Sequence, residues 1–170
     1  MFESQVMENT KNLIMNSPKD IPEQQIFTAL SNDVIAGLNV DMVSIWYFDE
    51  TCEKLSCQYS LDRSNNNNLI GINLLKTDYP AYFNALIQGV SIRADDVFTN
   101  PNTAELIESY FKPYQVKSLL DYIIYKGETP VGLICCETTR EKRIWTGDDI
   151  DYVRALTVMA GVELKSAKKN

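Results

Sequence analysis

The spacing of apolar residues changes several times along this chain, and each change marks an element. From Pro22 onward, Phe27, Leu30, Val34 and Leu38 recur at i, i+3, i+7 and i+11, the stripe of an amphipathic helix. Pro22 suits its start, and Gly37 and Asn39 mark its end. Met42-Val-Ser-Ile-Trp-Tyr-Phe48 is β-branched and aromatic throughout, which predicts a buried strand. Asp49 to Cys52 reads as a turn and Leu55 to Ser60 as an antiparallel partner. The asparagines Asn65 to Asn68 form a polar loop before a third strand at Ile70–Leu75.

The middle of the chain predicts shorter elements. Tyr79-Pro80 opens a helix through Tyr82, Phe83, Leu86 and Ile87 that stops at Gly89, and Val90–Arg93 is extended. After Asp95-Asp96 and the loop Thr99-Asn-Pro-Asn102, a second short helix is expected over Ala104–Phe111, halted by Pro113. Ser118–Tyr125, Lys126-Gly-Glu-Thr129 and Val131–Thr138 read as strand, turn, strand. Thr146-Gly-Asp-Asp149 caps a last helix whose inner face is Ile150, Val153, Thr157, Ala160 and Leu164. Phe2, Val6, Leu13 and Ile14 indicate a short leading helix, broken at Ser17-Pro18. The expected organisation is an N-terminal extension over 1–20, one domain over 21–167 and a tail over 168–170. Strands joined by tight turns make the sheet antiparallel and the class α+β.

Composition narrows the chemistry. The chain has 170 residues, 45% of them hydrophobic, enough for a core of its own, and no histidine. That absence excludes Ser-His-Asp and Cys-His catalysis, imidazole metal ligation and an imidazole pH switch. A net charge of −7 disfavours binding to a phosphate backbone. The basic residues are scattered apart from Lys165, Lys168 and Lys169, which suit the negative end of a helix. No apolar run reaches the length of a membrane helix, and MFESQVMENTKN has no signal-peptide pattern, so a cytoplasmic location without membrane insertion is expected. Cys52, Cys57, Cys135 and Cys136 form no CxxC pair. The last two should point to opposite faces of one strand, which favours buried structural thiols over a metal site.

The segment from Leu119 to Leu164 carries a strand, a glycine turn, a Val131-Gly-Leu133 strand and a Trp145-Thr-x-x-Asp149 helix start. It resembles the closing signature of GAF domains, a family of sensory and regulatory domains. Val43 to Asp49 looks like that family's opening strand, and Thr77–Ala81 through Arg93–Asp96 is similar to its ligand-facing segment. The resemblance spans roughly residues 22–165. It implies a six-stranded antiparallel sheet, terminal helices on one face, and a middle segment that arches over a small-molecule pocket on the other. It also implies a homodimer whose end helices run toward an output domain C-terminal to this chain, which would then be a piece of a longer signalling protein. Against the bilin-binding branch, Leu106-Ile107 stand where a Cys-His pair would fall, although Asp78-Tyr79-Pro80 resembles its Asp-Ile-Pro segment. A covalent bilin is therefore disfavoured and a non-covalent ligand expected. The cyclic-nucleotide branch's Asn-Lys…Phe…Asp-Glu arrangement is not found. A methionine sulfoxide reductase would need thiols at the pocket mouth, where nothing in the sequence brings Cys52 or Cys57.

Seven of the 17 aromatics fall between Tyr79 and Tyr114, a density that fits either a pocket lining or simple packing between sheet and cover. From these, Tyr79, Tyr82, Phe98, Tyr110 and Tyr114 are candidate ligand contacts. Asp121 interrupts the apolar strand Leu119–Ile124; it faces solvent, or it meets a ligand amine, a backbone donor or Arg93. Arg93 is a candidate for an anionic ligand group or a partner for Asp95 or Asp96, and Ser118 is a candidate donor. Asp95-Asp96 and Asp148-Asp149 read as structural. A second apolar stripe on the last helix, Ala155, Val158, Met159 and Val162, is the expected dimer contact. The leading reading is a sensor module with no catalytic residues. The alternatives are a dimerisation module whose pocket is filled by its own tyrosines, and a thiol enzyme.

Overall fold

The computed structural model describes residues 7–17 and 19–164. Phe2, Val6, Pro18, the lysines Lys165, Lys168 and Lys169, and the tail over 168–170 lie outside them. The strands are β1 (Met42–Phe48), β2 (Lys54–Asp62), β3 (Asn73–Leu75), β4 (Ser91–Ala94), β5 (Ser118–Lys126) and β6 (Thr129–Thr138). They form one antiparallel sheet in the order β3-β2-β1-β6-β5-β4. The helices are α1 (Glu8–Asn16), α2 (Glu23–Leu38), α3 (Pro80–Gly89), α4 (Lys112–Tyr114) and α5 (Gly147–Gly161). A 3₁₀ turn at Ala104–Leu106 and a π-helical turn at Ile107–Phe111 run directly into α4. The α+β class and the six-stranded antiparallel sheet expected from the sequence are both present.

Strand alternation divides the core in two. Val43, Ile45, Leu120, Ile124, Ile134 and Cys136 face Phe27, Leu30 and Val34 of α2 and Tyr152, Val153, Leu156 and Ala160 of α5. Met42, Trp46, Leu119, Ile123, Leu133 and Cys135 face Tyr82, Phe83 and Leu86 of α3 and Tyr110 and Phe111 of the π-helical turn. Both faces are covered, which is why the central strands are almost continuously apolar. Cys135 and Cys136 do fall on opposite faces.

Several boundaries differ from the sequence reading. The third strand shrinks to Asn73–Leu75 because Gly71 turns the chain at φ 92°. Gly37 does not end α2; it lets the helix approach the Tyr152 ring, and Asn39 at φ 53° makes the end. Pro113 does not stop its helix at Phe111. The proline sits in the first turn of α4, where its missing N–H is tolerated, and the chain turns at Gln115, φ 59°.

Buried carboxylates hold the helical layer and the loops. Asp33 on α2 accepts bonds from the N–H groups of Asn9 and Thr10 at the start of α1, while its carbonyl accepts from Tyr152 Oη of α5 at 2.5 Å. Asp62 gathers the asparagine loop through the N–H groups of Ser64, Asn65 and Asn67. Asp41 binds the N–H groups of Thr139 and Arg140 and the Arg140 guanidinium at 2.6 Å. Burial opposes the Asp41 charge, but those donors hold its pKa below the usual carboxylate range. At α5 the Trp-Thr-x-x-Asp signature resolves into two devices. Thr146 and Asp149 form a reciprocal capping box, and Trp145, fully buried, donates its indole N–H to the Ala94 carbonyl at the end of β4.

Gly132 of β6 lies so close to β1 that a Cβ there would collide with the Trp46 carbonyl oxygen. Gly132→Ala is expected to destabilise the domain by about 3 kcal/mol or more, because backbone cannot yield as a side-chain tip can. Gly147→Ala, in open space at the start of α5, is expected to leave the urea midpoint nearly unchanged.

Candidate functional site

Beneath the cover formed by α3 and the π-helical turn, the apolar sheet face is broken by two acids. Asp121 of β5 pairs across the ladder with Cys135 of β6, and Leu119 with Glu137, so both carboxylates rise from the same face on a diagonal. Both are completely buried. Tyr82 Oη of α3 donates to Asp121 Oδ2 at 2.5 Å, and Tyr110 Oη donates to Glu137 Oε1 at 2.9 Å. The second oxygens, Asp121 Oδ1 and Glu137 Oε2, have no hydrogen-bond partner in the geometry. Trp46, whose indole N–H donates to Ser44 Oγ at 2.8 Å, packs edge-on to Tyr110 with ring centroids 6.5 Å apart.

Electrostatics here are set by the loss of water. Burial first pushes the Asp121 carboxyl up to about 6, against the relief given by the Cys135 thiol and the Tyr82 hydroxyl. Burial first and the neighbouring Asp121 second push Glu137 up to about 8, against relief from Cys135 and Tyr110. Burial and the same two acids raise Tyr82, Tyr110 and Cys135 well above their ordinary values. Of the two carboxyls, Glu137 is the one that keeps its proton near neutral pH, because burial and the Asp121 charge both oppose its ionisation.

The cover is tied together. Glu105 of the 3₁₀ turn accepts the N–H groups of Ala81 and Tyr82 at the start of α3, each at 3.1 Å. Tyr79 Oη and Ser109 Oγ meet at 2.9 Å. Both segments also carry unusual backbone: α3 ends at Val90 with φ 65°, a conformation a β-branched residue rarely adopts, and Tyr110 lies within the π-helical turn.

The expected site residues therefore separate. Tyr82, Tyr110 and Asp121 converge, and Tyr114 packs against Tyr110 at a tilt of 52°, with centroids 5.2 Å apart, at the edge of the cluster. Tyr79 is half-buried and clasps the cover from outside. Phe98 is exposed. Arg93 is exposed and does not meet Asp121, because it pairs with Leu120 in the ladder and so points to the opposite sheet face; it lies 3.9 Å from Asp95. Ser118 accepts from the Arg143 N–H and donates to the Asp95 carbonyl, fixing loops. On α5, Val158 and Val162 are exposed, whereas Ala155 and Met159 are half-buried against the domain's own core, so the proposed stripe is narrower than its spacing suggested. Glu137 and Cys135 are the residues of the cluster that the sequence reading did not assign to a site. Burial pushes the Cys57 thiol up to about 12 and raises Cys52 as well. Among the described residues no group of His, Cys, Asp or Glu is arranged to hold a metal ion.

Raised acid pKa values mean that the folded protein binds more protons than the unfolded chain, whose carboxyls titrate near 4. Stability contributed by these two groups is thus present at low pH and lost as pH rises through about 6 and about 8. Thermal melts should show Tm falling from pH 5 to pH 8.5, with Asp121→Asn/Glu137→Gln flattening that slope. Tyr82→Phe, which strips Asp121 of its phenol donor, should cost about 1–3 kcal/mol in a urea melt.

Comparison with known proteins places this architecture. The GAF domain family model matches residues 22–164. No curated protein matches the chain. The phycocyanobilin-bound GAF domain of a cyanobacterial phytochrome superposes with a TM-score of 0.74 at 19% identity, covering 93% of this chain and 91% of that one. The GAF domain of an Acinetobacter phosphoenolpyruvate-protein phosphotransferase gives 0.70 at 13% identity, covering 94% and 90%. Its counterpart from Coxiella burnetii gives the same values, 0.70 at 13%, covering 94% and 90%. The sheet order, the two-sided cover and the match over residues 22–164 agree: this chain belongs to the GAF domain family.

Proposed function

We propose that this domain is a regulatory sensor that binds a small ligand non-covalently beneath α3 and the π-helical turn and passes occupancy to its terminal helices. The observation that supports the reading is the buried polar cluster of Asp121, Glu137, Tyr82 and Tyr110 under a cover with strained backbone. Residues 104–111 include no cysteine or histidine, so no covalent chromophore is assigned. The reading assigns no reaction.

A route from the cluster to the helices is built from contacts already described. Asp121 pairs with Ile92 of β4, β4 ends at Ala94, and the Ala94 carbonyl accepts from Trp145 at the start of α5. The other end of this layer is joined by Asp33, which contacts α1 and α5 from α2. A ligand would shift the helices only by binding one arrangement more tightly than another. A thermal-shift screen of the purified chain against metabolites, with native mass spectrometry of the hits, should find a stabilising small molecule. Absence of any shift across the screen would remove the ligand.

Val158 and Val162, 68% and 72% exposed, support a second reading: homodimerisation through α5, which needs no ligand if the tyrosines themselves fill the pocket. Val158→Asp/Val162→Asp should then halve the mass measured by light scattering. An unchanged mass excludes this contact.

A further inference from the structure

The five buried carboxylates of the described residues fall into two kinds. Asp33, Asp41 and Asp62 each collect at least two backbone N–H bonds, and Asp41 adds a guanidinium. Such acids are structural, their charge met by fixed donors. Asp121 and Glu137 each receive one phenol, share only the weak Cys135 thiol as a further neighbouring donor, and each leave one fully buried oxygen without a hydrogen bond. No lysine or arginine of the described residues is buried with them. Two carboxyls on one sheet face, each with an oxygen that receives no hydrogen bond beneath α3 and the π-helical turn, lack a positive charge that carries several N–H donors.

We propose that the site takes a small organic cation, a protonated amine or diamine, whose N–H groups bind Asp121 and Glu137 in place of the Tyr82 and Tyr110 hydroxyls. This inference rests on the sensor reading and specifies its ligand class. A cation supplies donors to the orphaned oxygens and cancels the repulsion between the carboxylates; a neutral alcohol would do only the first, and an anion neither. The walls fit the same chemistry. Trp46, Phe111 and Tyr114 surround Tyr110 with aromatic rings, whose faces attract cations.

The room must come from the two phenols. Tyr82 and Tyr110 lie on α3 and the π-helical turn, which Glu105 and the Tyr79–Ser109 contact join, so displacement of one ring pulls on the other. Val90 at φ 65° and Gln115 at φ 59° bound these segments where they rejoin the sheet. Proton traffic follows from the same geometry. The titratable groups around the acids are Tyr82 from α3, Tyr110 from the π-helical turn and Cys135 from β6, all held neutral by burial, together with the buried Cys57 thiol and the Asp62 carboxylate of β2, whose charge pushes Glu137 further up. The proton that Glu137 keeps near neutral pH is therefore the one that an entering cation displaces.

Isothermal calorimetry of the full chain with 1,4-diaminobutane, 1,4-butanediol and succinate separates charge from size and shape. Diaminobutane is expected to bind, with release of close to one proton at pH 7 when the heats are compared in two buffers of different ionisation enthalpy, while butanediol and succinate stay silent. Asp121→Asn/Glu137→Gln should weaken diaminobutane at least about 30-fold. If that variant does not fold, Tyr82→Phe serves instead and should tighten diaminobutane severalfold by removing the competing hydroxyl. Binding of butanediol or succinate with diaminobutane silent overturns the cation and leaves a sensor of another ligand class. Diaminobutane binding that survives Asp121→Asn/Glu137→Gln, or is not tightened by Tyr82→Phe, overturns the site. Silence from all three compounds overturns the cation, and only a metabolite screen that is also silent removes the sensor reading itself.

Discussion

A sheet covered on both faces has no solvent side, so every side chain of its central strands must be apolar or be given a partner. This constraint governs the domain. It makes β1, β5 and β6 nearly continuous runs of large apolar residues, and it requires one cover of helices on each side. It also makes the exceptions informative. An acid in such a strand cannot be relieved by water, and its cost falls only when the fold supplies donors or a proton. Asp121 and Glu137 break the rule on one face, and the fold supplies both remedies in part: one phenol each and a pKa raised by burial.

The two faces divide the work. On the helical face Asp33 is bonded to both neighbouring helices and Tyr152 closes over Gly37. The opposite face is assembled from short pieces with unusual backbone, bonded both to each other and to the sheet. Between the faces, Trp145 links the end of β4 to the first turn of α5, so the family's closing signature is a mechanical joint as well as a helix start.

Much of this was legible in the residues. Unbroken β-branched and aromatic runs located the central strands, 3.6-residue periodicity located α2 and α5, and the closing signature identified the family later found over residues 22–164. The site was legible only in halves. Asp121 stands out in Leu119–Ile124, and the tyrosines stand out by density. Glu137, though, sits at the end of an equally apolar strand, and counting back through the hairpin turn pairs Asp121 with Ile134, which puts the two acids on opposite faces. The register shifts by one residue at a bulge between Ile124 and Tyr125, Asp121 then faces Cys135, and the acids share a face. Arg93 failed as a partner for the same kind of reason, since strand parity rather than proximity in sequence decides which face a residue serves. The half-buried Ala155 and Met159 likewise depend on how closely α5 seats on the sheet, which spacing alone does not fix.

Everything proposed for the site depends on Asp121 and Glu137 being sealed from water with a proton retained between about pH 6 and about pH 8. Carboxyl carbon-13 NMR of the labelled domain, followed from pH 4 to pH 9, tests it most directly. Glu137 is expected to stay protonated at pH 7 and to titrate near 8, after Asp121 near 6. Ordinary titration of both residues near 4, as for solvated carboxylates, would contradict it.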